Sequence, residues 1–186
     1  MLYLVPALLV VIASSVLLVF IVVAYFRTGV PTVVSAKAAQ RLAAQVLAQR
    51  KAKRIFELGS GKGDFVIRLA QWLPETRVYG FEISPLPYLA AQLARLFSSA
   101  RSRISFFLRD FRKVNLADAD AVVFYLMIHA NKKLAPKLEK ELLPGTTVVS
   151  ISFSVADWIP EQVLIADNFT KTRVLVFSMP PKHKKE

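Results

Sequence analysis

The chain contains no cysteine, which removes disulfides, thiolate metal sites and cysteine nucleophiles together. Histidine is nearly absent as well: with only His129 and His183, a zinc centre would have to be built from scattered carboxylates, and no metal site is expected. Acidic residues are scarce, 13 against 25 Lys and Arg for a net charge of +12, and none occurs before Glu57. That imbalance points to nucleic acid or to an anionic membrane surface. Charge of either sign is missing from Leu2 to Phe26. As a helix rising about 1.5 Å per residue, this run exceeds the roughly 30 Å of bilayer hydrocarbon. No Lys or Arg precedes it, and Ala24-Tyr25-Phe26-Arg27 closes it with bulky residues, so a cleaved signal peptide fits poorly.

One transmembrane helix is therefore expected over 1–27. Arg27, Lys37, Arg41, Arg50, Lys51, Lys53 and Arg54 follow it. By the positive-inside rule the N-terminus faces out, and the rest of this single-pass protein lies in the cytoplasm, or on the matrix side of an organelle. The membrane and its anionic lipids are the expected partners, each basic side chain held at a bilayer gaining about 1 kcal/mol. A solvated basic face accounts for the same residues without a partner, and nucleic acid is the weaker alternative.

What is present beyond the apolar run is one domain's worth of chain. Residues 28–53 read as a linker, broken by Gly29 and Pro31, and a membrane-proximal helix capped by Ser35 with Ala39, Leu42, Ala43, Val46 and Leu47 on one face. From Arg54 to about Ser178, short β-rich runs alternate with helical ones, the pattern of a parallel sheet with crossover helices. Strands are expected near Arg54–Leu58, Arg77–Ile83, Ile104–Leu108, Ala121–Tyr125, Thr146–Ser152, Gln162–Ala166 and Thr172–Phe177, the last two as an edge hairpin. Helices fit Asp64–Leu73, Leu86–Ser98 and Asn131–Leu143, the last capped by Asn131 and stopped by Pro144-Gly145. Asp110 to Asp120 leaves room only for a loop or a single turn. Residues 179–186 form a basic tail. The fold class is α/β: a Rossmann-like, seven-stranded sheet with helices on both faces.

Glycine is also scarce, yet three of the six fall within Gly59-Ser60-Gly61-Lys62-Gly63, between an expected strand and an expected helix. Glycines two apart let the backbone approach a ligand and adopt positive φ; a tight strand-to-helix turn needs the same residues without a ligand. A dinucleotide fingerprint would place Asp64 at its third glycine, losing close helix packing and setting a carboxylate beside pyrophosphate, so a nicotinamide cofactor is disfavoured. The spacing resembles the first motif of class I S-adenosylmethionine (SAM)-dependent methyltransferases. A ligand without phosphate tolerates acidic neighbours, and its sulfonium and amino groups are helped by Glu57 or Asp64. Glu82 stands about 20 residues on, at a strand tip from which a carboxylate can accept both ribose hydroxyls. Asp110 follows the third strand, where that class usually places an acidic residue facing the adenine amino group; a loop Asp capping a turn is the alternative.

Beyond these, the chain from Val30 to about Phe177 resembles the membrane-anchored lysine methyltransferases that modify ATP synthase subunit c and the adenine nucleotide translocase. The likeness is carried by Val30-Pro31-Thr32, Glu57-Leu58-Gly59-Ser60-Gly61-Lys62-Gly63-Asp64, Gly80-Phe81-Glu82-Ile83-Ser84-Pro85 and Asp110-Phe111-Arg112-Lys113-Val114. Lys137 to Leu142 ahead of Pro144-Gly145, and Phe153 to Trp158, continue it. It implies SAM as cofactor, held by Glu57, Gly59, Ser60, Gly61, Gly63, Glu82, Ile83, Asp110, Phe111 and Tyr125. It also implies protein lysine N-methylation at or in a membrane. The chain departs from that family at Lys62, where an acidic residue is typical, at Asp64, where Arg is, and in lacking a Pro within Tyr125-Leu126-Met127-Ile128. No Asn/Asp-Pro-Pro-Tyr motif follows the fourth strand, so amide and adenine amino methylation have no support. No catalytic base is assigned. Tyr125 is as readily a packing residue as a pocket-lining one, Trp158 reads as packing rather than a substrate contact, and His129 reads as a cap or surface residue. Methylation of RNA, lipid or a small molecule is the alternative, and a membrane-tethered binding module with a vestigial pocket is a third reading.

Overall fold

The computed structural model describes residues 4–28, 37–126, 128–155 and 158–181. Ser35, the Val30-Pro31-Thr32 segment and the tail from Lys182 lie outside them. The chain divides into two compact units at Val33/Val34.

In the first unit, α1 (Leu4–Thr28) is an unbroken helix of 25 residues. Its first charged residue is Arg27, and Val5, Leu8, Leu9, Val10, Val11, Ile12, Val16 and Val19 are all exposed. Taken over the described residues alone, no helix is long and apolar enough to cross a membrane.

The second unit holds a seven-stranded sheet with β1 (Arg54–Leu58), β2 (Arg77–Glu82), β3 (Ile104–Leu108), β4 (Ala121–Phe124), β5 (Thr147–Ile151), β6 (Gln162–Ile165) and β7 (Arg173–Ser178). The strand order is β3-β2-β1-β4-β5-β7-β6. The first five strands are mutually parallel, and β7 enters antiparallel between β5 and the edge strand β6. The order reverses at β1 and β4, the switch point beyond whose carboxyl ends open α/β sheets bind ligands. Every expected strand is present, with ends that differ by one residue or none, as strand ends do.

The central strands are buried on both sides because helices cover both faces. On one face lie α2 (Lys37–Gln49), α3 (Asp64–Trp72) and α4 (Pro85–Leu96), packed over Ile55, Val78, Ile104, Phe106, Val123 and Val149. On the other, α5 (Ile128–Glu141) buries Leu134 and Leu138, with Leu142 just past its end, against Phe56, Leu58, Phe81, Val122 and Phe124. α2, expected as a membrane-proximal helix, belongs to the same compact unit as the sheet. Its buried residues Ala39, Ala43, Val46 and Leu47 pack on β5, β7 and α3, and buried Gln40 accepts from Arg68 at 2.6 Å. α5 begins at Ile128, so Asn131 lies inside the helix rather than at its cap. Between β3 and β4 there is one 3-10 turn, Phe111–Lys113, as the short connection requires. Asp120 fixes the start of the central pair, its Oδ2 accepting the Lys53 and Arg54 N–H groups at 3.0 and 2.8 Å.

Candidate active site

The turn after β1 is shaped by backbone that only glycine adopts without strain. Gly59, Gly61 and Gly63 have φ of 79°, 53° and 79°. The Gly59 and Ser60 N–H groups both donate to the Phe81 carbonyl at 2.9 and 3.0 Å, which draws the turn across β2. A Cβ on Gly80 would come within 2.9 Å of Ser60 Cβ and 2.7 Å of Phe106 Cδ1. Gly80 is not among the site residues expected from the sequence, although a glycine in mid-strand marks close approach by another part of the chain. Leu126, just past β4, also went unnoticed; it lies 3.1 Å from where a Cβ on Gly59 would stand.

Glu82 closes the turn from the side. Its Oε2 accepts the Gly61 N–H and its Oε1 the Ser84 N–H, each at 2.8 Å. One carboxylate thus ties the glycine turn to the start of α4, and Ile83 is exposed between them. Asp110 stands at the carboxyl end of the neighbouring strand, the Arg109 N–H donating to the Glu82 carbonyl at 2.8 Å. Its carboxylate is turned onto Arg112, which donates through Nε at 2.9 and 3.0 Å and Nη2 at 2.7 Å, while the Arg112 N–H donates to Oδ1 at 2.9 Å. The guanidinium holds this carboxyl below its ordinary range. The capping alternative for Asp110 is therefore what the side chain does here. Phe111 packs partly buried on the α5 side of the sheet, and Tyr125 stacks on Phe153 with centroids 6.3 Å apart.

Glu57 is the electrostatic anomaly. It lies on β1 with its side chain buried, and among the described residues its Oε2 and the nearby Ser60 Oγ have no hydrogen-bond partner. Burial pushes the Glu57 carboxyl well above its ordinary value, against the Val66 N–H, which favours the charged form, and with help from the carboxylates of Glu82 and Asp64. A buried acceptor and a buried hydroxyl left open at one glycine turn fit a polar, positively charged ligand group. Because the folded protein holds this proton more tightly than the unfolded chain, Glu57 costs no stability below the unfolded value and costs progressively more as pH rises toward the folded one. Glu57→Gln is therefore expected to raise the thermal midpoint of the ligand-free protein at neutral pH, with the gain vanishing near pH 4, and to weaken binding of a cationic ligand. Thermal scans across pH beside calorimetry check both; a midpoint gain equal at pH 4 and pH 7 would sink the account.

A parallel-sheet switch point, a glycine turn, a strand-end Glu and open polar atoms beside them define a class I SAM-dependent methyltransferase. The comparisons with known proteins agree. Residues 57–162 match the ANTKMT methyltransferase domain, and the chain belongs to that family. It is 29% identical over 130 residues to a protein-lysine N-methyltransferase of Saccharolobus islandicus, covering 70% of this chain and 81% of that protein. Among solved structures it resembles an RNA methyltransferase from Salinibacter ruber in complex with S-adenosyl-L-homocysteine, with a TM-score of 0.71 at 26% identity over 83% of this chain and 98% of the other. A SAM-dependent O-methyltransferase from Thermotoga maritima, at 13% identity and TM-score 0.60 over 84% of this chain and 69% of that one, shares the fold. The protein is a SAM-dependent methyltransferase and SAM is its cofactor. The residues present fit it: the glycine turn and Ser60 would cradle its amino-acid end with Glu57, and Glu82 would take its ribose.

Proposed function

We propose that this enzyme methylates lysine side chains of a protein held at or in a membrane. What carries the reading is the likeness to the Saccharolobus protein-lysine N-methyltransferase across 81% of that protein's length. The membrane part rests on α1, uncharged through Phe26, and on the seven basic residues from Arg27 to Arg54 that precede any acidic one. On this reading α1 anchors the chain and the methyltransferase domain lies on the cytoplasmic or matrix side.

SAM supplies a methyl group on a sulfonium, a leaving group that departs as a neutral thioether. The chain's task is to bind, orient and keep water out. Glu82 and Asp64 bring negative charge to the end of the sheet where the sulfonium would sit, and Glu57 offers a buried carboxyl oxygen there. The substrate nitrogen must arrive without its proton, since only its lone pair can attack, and with an unperturbed lysine near 10.4 the rate is expected to rise with pH. Full-length protein incubated with methyl-labelled SAM and membranes should place label in protein, released on hydrolysis as methyl-lysine. Label recovered instead in the RNA fraction would select the second reading, which the Salinibacter neighbour and the net charge of +12 favour.

A further inference from the structure

α4 buries Ala91 and half-buries Tyr88 against the sheet, and leaves its leucines exposed. Ala91 is buried where the helix meets the glycine turn, its Cβ 3.0 Å from the position a Cβ on Gly63 would take. On the opposite side Leu86, Leu89, Leu93 and Leu96 are 46%, 54%, 60% and 59% exposed, and Phe97, just past the helix, is 89% exposed. Their spacing of three and four places them on one stripe along the helix. Four leucines and a phenylalanine in line are not the scattered single apolar residues of an ordinary surface.

The charges near the stripe choose between occupants. No Asp or Glu occurs from Ile83 to Arg109, while Arg95, Arg101, Arg103 and Arg109 do. α4 connects two parallel strands and so runs opposite to both, which puts Arg101 beyond its C-terminal end and Arg109, at the carboxyl end of β3, beside its N-terminal end. Among the described residues neither is in an ion pair. A second copy pairing through this stripe would bring arginines together with no carboxylate of the segment to oppose them. At 12 residues the helix is too short to span a bilayer. An apolar stripe with cations at its ends matches a helix lying in the boundary between lipid headgroups and acyl chains.

We propose that α4 docks on an anionic phospholipid bilayer, with Leu86, Leu89, Leu93, Leu96 and Phe97 entering the acyl boundary and Arg101 and Arg109 on the headgroups. The docking is independent of whether α1 spans the membrane. Because α4 begins directly after Glu82 and Ser84, a docked α4 sets the rim of the SAM site at the lipid–water boundary.

The absence of cysteine makes the test direct. Full-length Leu93→Cys protein carrying a nitrobenzoxadiazole label is incorporated into phosphatidylcholine vesicles with and without phosphatidylserine, alongside Asp167→Cys, which follows the opposite edge strand. The label at 93 should shift to the blue and be quenched by nitroxide-bearing lipid when phosphatidylserine is present, and much less without it, while the label at 167 stays unquenched. Adding Leu89→Glu should abolish the quenching with SAM binding retained, which separates loss of docking from loss of the cofactor site. A label at 93 that remains in water overturns the proposal. So does quenching indifferent to phosphatidylserine, and so does a label shielded from lipid while cross-links join two copies through α4.

Discussion

Glu82→Ala is expected to weaken SAM binding about a hundred-fold or more. Two charge-assisted hydrogen bonds from ribose hydroxyls to one carboxylate, with the loss partly offset by water, amount to on the order of 3 kcal/mol. The side chain also holds the Gly61 and Ser84 N–H groups, so its removal loosens the turn that would receive the cofactor. Those amides can turn to water, and the folded state should persist with a modestly lower thermal midpoint. Glu82→Gln keeps one carbonyl acceptor and should fall between alanine and the native protein. Isothermal calorimetry with SAM and with S-adenosylhomocysteine measures the effect. An alanine variant that binds either ligand within about two-fold of the native protein, well inside the loss of a single such bond, would remove Glu82 from the site.

The second large effect is on folding. Gly63→Ala adds a Cβ that would stand 2.3 Å from Phe106 Cζ, at a residue with φ of 79°. Left-handed backbone costs a side-chain-bearing residue roughly 1–2 kcal/mol, and overpacking adds about 1–3. The sum corresponds to a midpoint lower by roughly 5–15 °C for a domain of this size. Gly80→Ala meets the same ring, 2.7 Å from Cδ1, without the positive φ. Trimming the ring with Phe106→Leu should restore part of the stability of each variant and all of neither, since Gly80→Ala still meets Ser60 Cβ at 2.9 Å while Gly63→Ala still meets Ala91 Cβ at 3.0 Å and keeps its positive φ. Thermal scans of the four variants decide it. No rescue of either variant would show that the Phe106 ring is not what destabilises them.

Much of the candidate site's geometry was legible because it is local in the chain. The three glycines, Glu57 and Asp64 occupy eight consecutive residues, and Glu82 follows at the tip of the next strand, so periodicity and turn chemistry alone bring them to one rim. Gly80 and Leu126 were harder, since each matters only through what crosses it: Ser60 and Phe106 over one, Gly59 under the other. Asp110 shows the limit from the other side. Its place after β3 was readable, but the choice between an outside ligand and Arg112 two residues on depends on side-chain rotamers that spacing does not encode. The start of α5 slipped by three residues because a polar Asn131 reads as a cap wherever the chain before it is not seen to be helical.

The stripe on α4 and the burial of α2 make the same point for surfaces. Both segments are amphipathic on paper, and their patterns look alike. α2 turns its alanines and leucines onto β5 and β7, whereas α4 sets Ala91 on the sheet side and leaves its leucines outside.

From its residues alone this chain determined an alternating α/β domain with a glycine turn and an acidic strand end, because hydrophobic period and backbone freedom are properties of neighbours along the chain. Only the tertiary structure decided which apolar faces are covered, that Glu57 is buried with an oxygen lacking any partner among the described residues, and that Asp110 is held by Arg112. Burial and pairing depend on what the rest of the fold brings alongside, and no single segment carries that information.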